Sequence, residues 1–254
     1  MKEVELSGHK VTLYDSIDEL PISRFHKYNR YLLIDAGIGS EIGDFDQHIE
    51  RVVRYIRKRD NDSASKELEN LRQNVFLVLS GQNIKHLSFA CLIKSIDGKE
   101  VTDLSPDGLA KVLEAIGGAS RGEVNDILSS VKKKIDEELG LYFPTLFDDV
   151  RTREFYDVMK RLTLNLLSQV AEGTDEEKRE QAEALREQLV LFSKPKVFTG
   201  KDGIEVRHDK DFETMCLLIT KETGRDAKGM NTLEYYNAYE YLKEKARKEQ
   251  NKAR

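Results

Sequence analysis

Apolar residues recur at steps of three and four along most of the chain, and no other feature of the sequence constrains its fold as strongly. The clearest run is Phe45 to Lys58. There Ile49, Val52, Val53 and Ile56 mark one helix face, while Arg51, Arg54, Arg57 and Lys58 lie elsewhere. Such a face calls for an apolar partner. The run Ser63 to Leu79, carrying Leu68, Leu71, Val75 and Leu79 after a polar DNDS connection, is expected to pair with it as an antiparallel helical hairpin. With 34% charged residues, four prolines and no tryptophan, the composition suits helices with solvated faces and argues against an all-β sandwich.

The same spacing predicts further helices. Ile22 to Leu33 follows Pro21, and another helix starts at Ser105-Pro106 with Ser105 as cap. A capping box at Ser120–Glu123 opens a run through Val124, Ile127, Leu128, Val131 and Ile135 to Leu139, with Gly140 as its stop. Asp149 to Ala171 is marked by Phe155, Val158, Met159, Leu162, Leu166 and Val170, and a second box at Thr174–Glu177 opens Glu176 to Phe192. Phe212 to Thr223 and Thr232 to Lys248 close the series. The nearly apolar stretch Leu87 to Ile96 is expected to be one buried helix. Strand alternation shows at Val4, Leu6, Val11 and Leu13 around Ser7-Gly8, a hairpin-type turn at Asp97-Gly98, and a second hairpin across Val197-Phe198, the GKDG turn and Ile204 to Val206. The expected fold is mainly α, helical hairpins or a bundle with two small β-hairpins. Its expected division is a helical domain at 1–144 with the N-terminal hairpin, and 145–254 with a helical hairpin, a β-hairpin and C-terminal helices.

Several function classes are excluded or weakened. No apolar run approaches the roughly 18 residues of a membrane-spanning helix, and a net charge of -5 gives the whole molecule no pull toward nucleic acid or an anionic membrane. MKEVELSGHK lacks the order of a signal peptide, and Cys91 and Cys216 have no CxxC spacing, so an intracellular chain with free, inert thiols is expected. GIGSEIG at 37–43 has glycines fit to cradle a phosphate, but it lacks the GKS/T of a P-loop and a preceding strand. It is read as a helix-to-helix connection with Asp44 capping the next helix. His9, His26, His48, His86 and His208 show no metal-ligand spacing and are read as surface or helix-face residues. No catalytic set is present, so the chain is expected not to be an enzyme and to need no cofactor or metal.

Two features remain as candidate contact sites. Arg51, Arg54, Arg57 and Lys58 could touch nucleic-acid phosphates, a secondary reading beside that of a solvated helix face; the basic tail from Lys243 is similar. Tyr235, Tyr236, Tyr239 and Tyr241 occupy more than one face of a single helix, which places them either in a small core or at an interface between subunits, and the interface is the expected role.

The run LPISRFHKYNRYLLIDAGIGSEIGDFDQHIERVVRYI, with ELENLRQN and HLSFACLIKSIDGKEVTDLS, resembles structural proteins of the crAss-like group of Bacteroides-infecting tailed bacteriophages, over residues 15–145. The resemblance rests on no catalytic or binding motif. It implies a virion component made in the host cytoplasm, a ring or connector subunit near the portal and short tail, whose partners are copies of itself and portal or other tail proteins. The segment DFETMCLLITKETGRDAKGMNTLEYYNAYEYLKEK is similar to the C-terminal helices of phage tail-assembly proteins, which implies the alternative of an assembly chaperone.

Overall fold

A computed structural model describes residues 1–34, 42–79, 84–117, 121–147, 150–192 and 203–252 of the chain. The elements run β1 (Lys2–Leu6), β2 (His9–Leu13), α1 (Ile22–Ile34), α2 (Ile42–Arg57), α3 (Asn61–Leu79), α4 (Ile84–Leu92), β3 (Ile93–Ile96), β4 (Lys99–Glu100), α5 (Pro106–Ala115), α6 (Arg121–Tyr142), α7 (Pro144–Phe147), α8 (Val150–Glu172), α9 (Glu176–Phe192), α10 (Ile204–Thr223) and α11 (Thr232–Lys252). A 3₁₀ turn at Ala227–Gly229 precedes α11. The fold is mainly α, as the spacing predicts. It forms two compact units, each drawn from separated stretches: the first from Met1–Asp35, Leu77–Phe143 and Thr199–Arg254, the second from Ala36–Phe76 and Pro144–Phe198. One crossing between units falls beside the sequence division at 144, yet each unit takes segments from both sides of it.

The first unit holds a four-stranded antiparallel sheet in the order β1-β2-β3-β4. Its two tight turns, Ser7-Gly8 and Asp97-Gly98, place both central residues at positive φ (53° and 80°, 50° and 78°), the backbone twist that lets a two-residue loop join right-twisted strands. The Asp97 carboxylate accepts from the Lys10 amide at 2.8 Å and lies 2.7 Å from His9 Nδ1, tying one hairpin to the other. Phe89, Leu92, Ile93, Leu13, Leu109 and Phe143 are fully buried beneath the sheet and among the helices of this unit.

The stretch Leu87 to Ile96 is not one helix: α4 ends at Leu92 and the chain continues as β3. Pairing with β2, Leu13 opposite Ile93 and Val11 opposite Ile96, captures the second half. The carbonyls left over at the helix end find donors, since the Tyr14 amide reaches Leu92 O at 2.9 Å and Arg24 Nη1 reaches Cys91 O at 3.2 Å and Ile93 O at 2.9 Å. Arg24 Nη2 also donates to Val101 O. A cation at the C-terminal end of α4 meets the negative end of the helix dipole as well.

The C-terminal helices belong to the same unit as the N-terminus because residues 17–22 and 230–233 interlock. Leu20 O accepts from both the amide and the hydroxyl of Thr232 at 2.8 Å, Leu233 N donates to Ile17 O at 3.0 Å, and Ile22 N donates to Met230 O at 3.0 Å. Asn231 caps α11 through its Oδ1 on the Glu234 amide at 2.8 Å, while the Glu234 carboxylate returns to the Asn231 amide.

Other boundaries shift for local reasons. Ser105 caps α5 as expected, accepting from the Gly108 amide at 3.1 Å. Helix α6 passes through Gly140 to Tyr142 and stops before Pro144, whose ring disfavours a helical Phe143. Asp175, not Thr174, caps α9, its carboxylate accepting from the Lys178 amide at 2.8 Å. Helix α2 already begins at Ile42, so Asp44 lies inside it, while residues 37–41 of the glycine string are outside the described residues. Ile204 to Val206 form the first turn of α10, where a β-strand is expected from the alternation; the rest of that expected hairpin, 197–202, is also outside the described residues.

In the second unit α2 and α3 form the expected hairpin. Arg59 turns left-handed (φ 59°) and the Asp60 amide returns to Tyr55 O at 2.9 Å, a C-terminal cap without glycine. The hairpin buries only part of the predicted face, Val52 on α2 and Leu71 on α3. Val52, Tyr55 and Ala64 make its small apolar cluster, whereas Ile49, Val53, Ile56 and Leu68 are partly exposed. The seam is instead polar: His48 Nδ1 lies 2.7 Å and Arg51 Nε 2.8 Å from Glu67 Oε1, with His48 and Glu67 both buried. Helices α8 and α9 make the second hairpin, turning at Gly173 (φ 94°), with Val158 and Ala182 buried and Asn165 Nδ2 donating to Gln181 Oε1 at 3.2 Å.

Candidate functional site

Helices α1, α10 and α11 of the first unit enclose a cleft of about 260 Å³ whose walls include Phe25, Phe212, Tyr235, Tyr236 and Tyr239. Tyrosine spacing on α11 puts these rings there: positions 235, 236 and 239 lie within about 100° of arc at 100° per residue. The rings meet edge to face, Tyr235 against Tyr236 at 88° and 5.6 Å and Tyr236 against Tyr239 at 84° and 6.5 Å. Phe143 also packs on Tyr236 at 5.6 Å. Burial pushes the Tyr236 hydroxyl up to about 12 and raises Tyr235 further, so both stay protonated throughout the ordinary pH range.

One side of the cleft is a histidine pair. The His26 ring lies between His208, at 4.2 Å and 8°, and Phe212, at 3.9 Å and 12°. Its Nε2 is 2.9 Å from Asp209 Oδ1, and Arg30, one turn further along α1, reaches Glu205 Oε1 at 3.0 Å, one turn before Asp209 on α10. Two residues four apart on each helix therefore zip α1 to α10, an ion pair at Arg30 and a hydrogen bond at His26. Burial lowers the His26 pKa, against the opposing pull of the Asp209 hydrogen bond. The sequence reading missed this pairing, which left one signal: a His and Arg four apart facing a Glu and Asp four apart.

The four tyrosines separate. Tyr235 is only 6% exposed and belongs to the core of its own unit, Tyr236 and Tyr239 are half-buried cleft walls, and Tyr241 is 59% exposed. Of the four, Tyr235 alone is buried within its own unit.

The basic cluster of α2 is taken up by acids. Arg51 pairs with Glu67, Arg54 is buried with Nη2 2.7 Å from Glu183, and Lys58 lies 3.4 Å from Glu187. Of the four, Arg57 is exposed and enters no ion pair among the described residues. His48 is buried rather than on a surface. Cys91 and Cys216 are buried free thiols, and burial pushes Cys91 up to about 12, so neither has the setting of a nucleophile.

Among the described residues no group of three or more His, Cys, Asp or Glu is placed to hold a metal ion, and no helix is long and apolar enough to cross a membrane. Compared with protein-family models, curated proteins and solved structures, the chain matches none.

Proposed function

We propose that the chain is a non-enzymatic assembly subunit of a tailed-bacteriophage particle, a ring or connector protein of the portal and tail, whose copies dock on one another through α8. The phage context rests on the resemblance of residues 15–145; the docking rests on one observation. Helix α8 carries two seams with alternating steps of three and four. The first, Phe155, Val158, Leu162, Asn165 and Gln169, is buried or half-buried along the hairpin with α9. The second, Tyr156, Met159, Thr163, Leu166 and Val170, is exposed, Tyr156 at 66% and Val170 at 87%, with Leu167 at 59% on its edge.

Steps of three and four over four turns are the pattern of a helix packed on another helix, and a contiguous exposed stripe of this kind is uncommon on a monomer. The same unit exposes a second apolar stripe, Ile49, Val53 and Ile56 on α2. Two different sticky faces on one subunit are what a head-to-tail, ring-closing contact needs.

Leu167→Glu combined with Val170→Glu tests the docking. Both side chains are mostly in solvent, so helix content and melting should match wild type, while each buried glutamate in the docked state should weaken association at least tenfold. An unchanged oligomer would remove α8 from the interface. Mass spectrometry of purified particles tests the virion role: the subunit is expected in stoichiometric amounts. Its absence from the particle would favour the transient chaperone.

A further inference from the structure

We infer that the cleft between α1, α10 and α11 is a binding site for an organic cation, an alkylammonium group seated against the tyrosine rings with Asp211 as its counter-charge. This rests on the first unit alone and stands or falls apart from the docking of α8.

The wall chemistry selects the ligand. Aromatic rings attract a cation through the negative potential of their faces, and rings set at right angles can surround one from more than one side. Tyr235, Tyr236 and Tyr239 supply two such corners, at 88° and 84°. Among the described residues Asp211 is the one carboxylate in the lining, and no Lys or Arg lines the cleft. The neighbouring Asp209 is held by His26 and Arg30, whereas Asp211 enters no ion pair among the described residues. An anion would face this carboxylate, and burial opposes the protonation of His26 that could offset it. A neutral apolar ligand would leave the charge unused. The cleft, about 260 Å³, fits a head group and not a drug-sized molecule.

The source is either a free small cation or the ammonium of a lysine on a partner chain, and the probes separate them. The full-length protein is titrated, by calorimetry and by amide chemical shifts, with choline, with its uncharged isostere 3,3-dimethyl-1-butanol, and with N-acetyl-lysine amide at constant ionic strength. Choline or the lysine amide is expected to bind about tenfold more tightly than the neutral isostere, with shifts centred on Asp211 and Tyr239. Asp211→Asn, a change at an exposed rim position that the fold does not need, is expected to lower that affinity about fivefold. A preference for choline assigns a free cation, and a preference for the lysine amide assigns a partner's side chain. Equal binding of charged and neutral probes, no binding, or an affinity unchanged by Asp211→Asn overturns the assignment.

Discussion

Replacing Arg24 with methionine is expected to destabilise the first unit by about 3–5 kcal/mol, a large share of the stability of a domain this size. Arg24 is 8% exposed and meets no carboxylate among the described residues; its guanidinium is satisfied by the carbonyls of Cys91, Ile93 and Val101 and lies 5.4 Å from the Tyr14 ring centre. Methionine fills similar space but leaves these carbonyls without that donor, and a buried unsatisfied polar group costs about 1–3 kcal/mol. Lysine keeps the charge, yet one ammonium cannot reproduce the planar fork, so Arg24→Lys should recover only part of the loss. Urea unfolding measures the loss, and hydrogen exchange at the Tyr14 and Val101 amides should localise it to the helix-to-strand switch. A midpoint for Arg24→Met close to that of wild type would mean that the α4–β3 switch is held by strand pairing alone.

Glu67→Leu is expected to weaken the α2–α3 hairpin by about 3 kcal/mol at neutral pH, because it removes the buried carboxylate that both His48 Nδ1 and Arg51 Nε reach. Burial alone pushes the Glu67 carboxyl up, but the His48 hydrogen bond and the Arg51 charge outweigh it and hold the group below its ordinary value. A depressed carboxylate stabilises the fold above its unfolded pKa, about 4.3, and loses that contribution as pH falls through the lower folded value. Wild type and variant should therefore differ most at neutral pH and converge in acid, as pH falls through the depressed folded value. A gap of the same size at pH 7 and in acid would place the cost of the substitution in packing rather than in the ion pair.

The sequence revealed helices well because three-and-four spacing is a local property; it revealed their partners poorly because partners are not. Val52 and Ile56 look equivalent along α2, yet Val52 is buried and Ile56 is 55% exposed, a difference set by α3. The Leu87–Ile96 run was legible as buried but not as half strand, since the residues that decide it, Leu13 and Arg24, lie some seventy positions away. Both tight turns were legible from Ser-Gly and Asp-Gly, whereas the placement of their hairpins side by side in one sheet was not. The tyrosines of α11 drew attention by composition. Only the tertiary fold brings His26 to them, from some two hundred positions away along the chain, and stacks it between His208 and Phe212.

Self-association is the central claim, and the native mass of the purified protein tests it most directly. Light scattering across a range of concentration and salt should give an integral multiple of the 29.2 kDa chain mass, held or strengthened at high salt because the α8 stripe is apolar. A single 29.2 kDa species at every concentration and salt would contradict it.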